Sequence, residues 1–230
     1  MIVRAAGICA LVAFLISLAA GDAAAQAKPR PRRPLPAPLP PPRLEIGGYA
    51  MLGVMNFTAA DSFDAILGSA SGTIFGGGAR LGLPFGGLFV DVGVWRFRGD
   101  GERVFVFAGQ EFPLDIPVEI TITPLELTAG WQFRFRRAPR FRPYVGGGWT
   151  SYDYRETSEF STGVENVEDR FSGYHLLGGA EYRLQRWLAL GGDVTWATVP
   201  DAIGAGGVSA QFDETNLGGT SVRFKITIGR

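Results

Sequence analysis

His175 is the single histidine of this 230-residue chain, and Cys9 is its single cysteine. A metal centre or a paired acid and base would need a second imidazole or a thiolate beside the first, and the chain has neither. Ser172 and Glu181 lie close to His175 in sequence. Their spacing strings the three along one strand, without the convergent nucleophile, base and orienter that covalent catalysis requires. No H-x-S motif of the lipid A deacylase kind occurs. The runs Gly76, Gly77, Gly78 and Gly146, Gly147, Gly148 are not followed by Lys and Ser or Thr. They fit bends and close packing in strands better than a phosphate loop. The residues therefore point to no catalytic group, no metal and no cofactor, and His175 reads as a member of a polar network.

That network is the chemistry the chain does carry. Arg80, Asp91, Glu126, His175, Glu181, Arg183, Asp193, Arg223 and Lys225 all sit at positions that alternate with apolar residues. The clearest stretch places Leu88, Val90, Val92 and Val94 on one face and Phe89, Asp91, Gly93 and Trp95 on the other. A period of two is the period of a strand. Eight such stretches follow residue 44, at about 44–56, 72–83, 88–98, 118–135, 141–154, 170–184, 187–198 and 217–228. A soluble barrel would turn its apolar face inward and crowd charge outside. Here the apolar face is almost unbroken and the other carries Gly, Tyr, Thr and isolated charges, as a narrow lumen inside lipid would. With Leu83 facing Leu88 across the turn at Pro84 to Gly87, Arg80 falls directly opposite Asp91. Charges in so narrow a space must be paired or wet. They could form a gate or polar pore, but eight strands leave an interior that side chains fill, which favours a plug of ion pairs.

The connections alternate in length. Pro84 to Gly87, Arg136 to Arg140 and Gln185 to Arg186 are short; Thr58 to Ala70, Gly99 to Pro117, Arg155 to Asp169 and Val199 to Asn216 are long. The third long one is acidic, with Glu156, Glu159, Glu165, Glu168 and Asp169. Short turns at one end and long loops at the other are the asymmetry of a transmembrane barrel. Aromatics gather at both ends: Trp131, Phe133, Phe135, Phe141, Tyr182 and Trp187 by the short turns, and Trp149, Tyr152, Tyr154 and Trp196 toward the long loops. Such rings favour the headgroup level of a bilayer.

Residues 1–25 read as a secretory signal peptide, with Arg4, an apolar run from Ile8 to Ala20 and Ala23, Ala24, Ala25 before a cleavage point. The run is shorter than the roughly 20 residues of a spanning helix. Residues 26–43 form a Pro-rich basic linker, with eight prolines and five basic residues between Lys28 and Arg43. Proline favours polyproline II, a stiff spacer of about 3 Å per residue. Its bases could instead touch anionic lipid or cell-wall polymer. Residues 44–230 then carry five more acids than bases, which excludes nucleic acid as an expected partner. With Cys9 in the leader, the rest of the chain can form no disulfide. Nothing later is apolar enough for a membrane helix, so a membrane location requires a closed barrel.

Two segments carry a family resemblance. Pro143, Tyr144, Val145, Gly146, Gly147, Gly148, Trp149 resembles the fifth-strand motif of the eight-stranded outer-membrane barrel domains that include OmpA-like and OmpW-like proteins. Gly178, Gly179, Ala180, Glu181, Tyr182, Arg183, Leu184 resembles the sixth-strand motif. The resemblance spans residues 44–230 and implies an all-β, eight-stranded antiparallel transmembrane β-barrel in the bacterial outer membrane. It implies surrounding outer-membrane lipid and lipopolysaccharide, and the barrel-assembly machinery as a partner. Members usually end in an aromatic residue; this chain ends Ile228, Gly229, Arg230, which leaves Phe224 to supply the assembly signal. The expected function is a non-enzymatic surface and envelope role with a lumen plugged by charge. The alternatives are an OmpW-like passage for small apolar compounds and a lipid-modifying enzyme.

Overall fold

A computed structural model describes residues 44–107, 110–158, 167–204 and 207–229. The expectations for the signal peptide and the Pro-rich linker lie outside these residues. Eight antiparallel strands close into a barrel in sequence order: β1 Glu45–Phe57, β2 Ser71–Gly82, β3 Leu88–Phe107, β4 Gln110–Gln132, β5 Phe141–Ser158, β6 Val167–Arg183, β7 Leu188–Thr198 and β8 Gly219–Gly229. β8 pairs back onto β1, from Gly47 opposite Gly229 to Phe57 opposite Gly219. Closure removes the free edges that lipid could not satisfy.

The alternation settles which face looks out. Val90, Val92 and Val94 are 42–43 % exposed, and Val222, Phe224 and Ile226 on β8 are 44–60 % exposed. Phe89, Asp91 and Trp95, one residue out of phase, are at most 4 % exposed. An outer surface of large apolar side chains over a buried polar face is the inverse of a soluble barrel, and it is the arrangement lipid stabilises.

Several details depart from the sequence reading. The stretch from Gly99 to Pro117 is not a loop: β3 runs on to Phe107 and β4 restarts at Gln110, with Phe105 opposite Phe112 and a register shift between Glu102 and Val104. β2 pairs with β3 only as far as Phe97, and β5 pairs with β4 only from Val118, so this outer hairpin has open edges. Pro113 and Pro117 are tolerated there because an edge strand has no ladder bond to lose on that side. Part of the third long connection is strand as well, with Arg155 opposite Glu168 and Glu156 opposite Val167; Glu159 and Glu165 lie outside the described residues. Tyr152 and Tyr154 do not join an outer aromatic belt. Their parity turns them inward, and Tyr152 is fully buried, whereas Trp149, Tyr174 and Trp196 are exposed rings at that end.

Among the described residues, two helices occupy the long connections, α1 at Ala60–Leu67 and α2 at Gly207–Gln211. α1 stops at Gly68, whose φ of 72° is the left-handed conformation that glycine adopts without a Cβ clash. Its start is capped from another loop: Glu214 accepts hydrogen bonds from the Asp61 and Ser62 backbone N–H groups at 3.1 and 2.9 Å and from the Ser62 hydroxyl at 2.5 Å. The carboxylate satisfies two orphan donors and meets the positive end of the helix dipole. Phe63 on α1 stacks on Phe57 with centroids 4.2 Å apart and meets Phe97 edge-on at 6.3 Å. These rings join Met55, Ile74, Ile120, Ile122 and Leu217 in an apolar cluster at the long-loop end of the interior.

Candidate functional site

Below that apolar cluster the interior is ionic. Arg223, 2 % exposed, extends from β8; its Nε lies 2.7 Å from Asp193 Oδ1 on neighbouring β7, and its Nη1 lies 2.8 Å from Glu126 Oε2 on β4 across the lumen. It also donates to the Thr195 hydroxyl. Lys225 Nζ holds the other Asp193 oxygen at 2.6 Å, and Trp95 Nε1 donates to Glu126 Oε1 at 2.8 Å. Nearer the short turns, Arg80 on β2 spans Asp91 on β3 and Glu181 on β6, both at 2.9 Å. Its guanidinium carbon is 4.4 Å from the centroids of both Phe89 and Tyr144, so it is held between two rings as well as two carboxylates.

Tyrosines join the two ionic groups. Tyr144 donates to Asp193 Oδ2 at 2.8 Å while Arg80 lies over its ring. Tyr49 donates to Asp91 Oδ1 at 2.7 Å while Lys225 Nζ lies 4.6 Å from its ring centroid. Each of the eight strands thus contributes to one connected set: Tyr49, Arg80, Asp91, Glu126, Tyr144, Glu181, Asp193 and Arg223 from β1 to β8 in turn. Buried charges cost several kcal/mol each unless geometry and extra hydrogen bonds compensate, on the order of the penalties known for desolvated ions. Here each carboxylate has two or more donors.

Two of the nine sequence-derived residues stand apart. His175, 1 % exposed, shares a 2.8 Å hydrogen bond with the Thr128 hydroxyl through Nε2, and its Nδ1 is buried without a partner. Ser172 is exposed on the opposite face of the same strand. Arg183 lies outside the central set, at the short-turn mouth, where Glu45 accepts from Arg142 at 2.8 Å and Arg183 at 3.1 Å and lies 3.3 Å from Arg134. The nine charged and histidine positions leave out the uncharged Tyr49, Tyr144 and Trp95, and they also leave out Glu45, a charged residue of inward parity at the start of β1. The inward parity of each strand is the signal that includes all four.

The glycine triplets make room for this interior. A side chain at Gly76 would run into the Trp95 backbone and Cβ, and one at Gly78 would lie 2.5 Å from the Tyr49 hydroxyl. Both glycines face inward, so the missing side chains are space that Trp95 and Tyr49 occupy.

A closed barrel of eight strands, an apolar outside and a cross-tied ionic inside now stand together. The model of the outer membrane protein beta-barrel domain matches residues 10–224. The chain belongs to that family. Its members lie in the bacterial outer membrane, and so does this barrel. Among solved structures, a major outer membrane protein from Thermus thermophilus is similar at 12% identity and a TM-score of 0.51, covering 81% of this chain and 99% of that one. The Neisserial surface protein A is similar at 12% identity and a TM-score of 0.45, over 81% and 95% of the two chains. The N-terminal beta-barrel domain of Pseudomonas aeruginosa OprF gives 10% identity and 0.43, over 80% and 97%. No curated protein matches. Family and fold therefore agree.

Proposed function

We propose that this member of the family is a non-enzymatic surface and envelope protein whose barrel is closed by its own side chains. The observation that carries the reading is Arg223, which reaches from β8 across the lumen to Glu126 on β4 while also holding Asp193. Arg80 makes a second crossing, from β2 to Glu181 on β6. Ion pairs that span the lumen leave little room for solute. Catalysis is disfavoured because the neighbour of His175 Nε2 is a buried threonine hydroxyl, and Ser172 points to the other side of the strand. In the cell, residues 1–25 are removed as a signal peptide and residues 26–43 serve as a periplasmic spacer. Lipopolysaccharide surrounds the outer half of the barrel, the assembly machinery inserts it, and the spacer's bases are placed to meet the cell wall.

One observation favours the second reading, passage of small apolar compounds. A cavity of about 350 Å³ lies at the long-loop end, lined by Phe63, Ile66, Val118, Ile120 and Leu217 among others. The apolar cluster and the ionic set lie between it and the other mouth. Planar-bilayer recording of the purified protein separates the readings. The plug predicts no stable porin-sized conductance and no uptake of apolar solutes into proteoliposomes. Uptake with little ionic current would replace it with the passage.

A further inference from the structure

The end of the barrel with short turns carries an excess of arginine that its own acids do not neutralise. Arg136, Arg137 and Arg140 are exposed in the β4–β5 connection, and Arg186 is exposed in the β6–β7 connection. Just inside, Arg134, Arg142 and Arg183 converge on the single carboxylate of Glu45. The Nε atoms of Arg134 and Arg142 are buried without a hydrogen-bond partner. Glu181, the next acid inward, is already used by Arg80 and Gln132. The three short connections themselves contain no acidic residue. The opposite end is acidic in its described parts, with Asp61, Asp64, Asp115, Asp201, Asp213 and Glu214.

The level of these arginines is fixed by their neighbours. Trp131, Phe133, Phe141, Tyr182 and Trp187, interleaved with them in sequence, are 42–50 % exposed on the outer wall. Amphipathic rings of that kind lie at the headgroup layer. Short turns face the periplasm, so this is the periplasmic leaflet. Arginine presents a planar fork that matches a phosphate with two parallel hydrogen bonds, and its stem can lie along apolar surface while the head reaches the phosphates.

We infer that the periplasmic rim formed by Arg136, Arg137, Arg140 and Arg186 binds the phosphates of anionic phospholipids in the inner leaflet of the outer membrane. The continuous aromatic wall beside it supplies the contact for their acyl chains, which a soluble phosphate would not use. The half-buried arginines around Glu45 add positive potential behind the rim. Each arginine near an anionic surface strengthens attraction to that surface by about fivefold.

The test uses the full chain purified in mixed micelles with equal amounts of phosphatidylglycerol and phosphatidylcholine, and lipid retained on the protein is counted by mass spectrometry. The wild type is expected to retain phosphatidylglycerol at least several-fold over phosphatidylcholine. The R136Q/R137Q/R140Q/R186Q variant is expected to approach parity, with heat-modifiable gel mobility showing an intact barrel. Should the fourfold variant not fold, R136Q/R137Q and R140Q/R186Q carry the test separately, each with a partial loss. The corresponding lysine variants are expected to keep most of the enrichment in low salt and lose it sooner as salt rises. Equal retention of the two lipids by the wild type, or enrichment unchanged in folded glutamine variants, would overturn the inference. So would loss of enrichment on adding millimolar inorganic phosphate at constant ionic strength, which would mark a general anion site.

Discussion

Arg80 and Asp91 stand directly opposite each other on β2 and β3, Nε to Oδ2 at 2.9 Å, while Arg80 reaches across the lumen to Glu181 with its other edge. The turn between the strands fixes this pairing: Leu83 N–H donates to Leu88 C=O at 2.8 Å, and every inward pair above it follows. Replacing Asp91 by Ala leaves half of the Arg80 fork and the Tyr49 hydroxyl without their partner. The expected cost is about 3–5 kcal/mol, the range for breaking a buried pair. Chemical unfolding in lipid measures it, and a double-mutant cycle with Arg80→Ala should give a coupling of roughly 0.5–3 kcal/mol. Zero coupling would show that the pair is wet.

Trp95→Phe tests the second carboxylate. An aromatic ring is kept beside Tyr152, whose centroid lies 5.8 Å from that of Trp95, while the Nε1–H donated to Glu126 and part of the buried indole volume are lost. Glu126 then keeps Arg223 alone. The unsatisfied carboxylate oxygen accounts for about 1–3 kcal/mol of the expected destabilisation, and the lost ring volume adds a cavity cost to it. An effect near zero would mean that water replaces the indole.

Glu214→Gln addresses the outer loops. It removes the charge that faces the α1 N-terminus and weakens the link between the first and last long connections. About 0.5–2 kcal/mol of local stability should be lost. Limited proteolysis should cut faster near residues 60–67 while heat-modifiable mobility stays that of the wild type. A change in barrel unfolding as large as the change in cleavage would contradict a purely local cap.

Gly78→Val should block assembly or displace Tyr49. The first side-chain carbon already lies 2.5 Å from the Tyr49 hydroxyl, and backbone on β3 is closer still. Pairing with Tyr49→Ala should restore part of the folded yield by vacating the space. Full yield in the single variant would show that the glycine is not needed for packing.

Alternation along each strand is a local property, so residue order alone decided the strand number, the faces and the membrane character. Val92 outside and Asp91 inside follow from one step of the pleat. Even the Arg80 and Asp91 register is readable, because a tight turn ties two adjacent strands. Local signals fail where context overrides them. Pro113 and Pro117 conceal a hairpin that tolerates proline only because its edges are open. α1 is hidden in a long connection, its cap supplied by Glu214 about 150 residues away in sequence. Residue type alone puts Tyr152 and Tyr154 in a belt, although their parity turns them inward. Tertiary structure alone decided which charges meet across the lumen. Arg223 to Glu126 and Arg80 to Glu181 join strands on opposite sides of the barrel, and their distances are set by closure and strand stagger, which no single strand encodes.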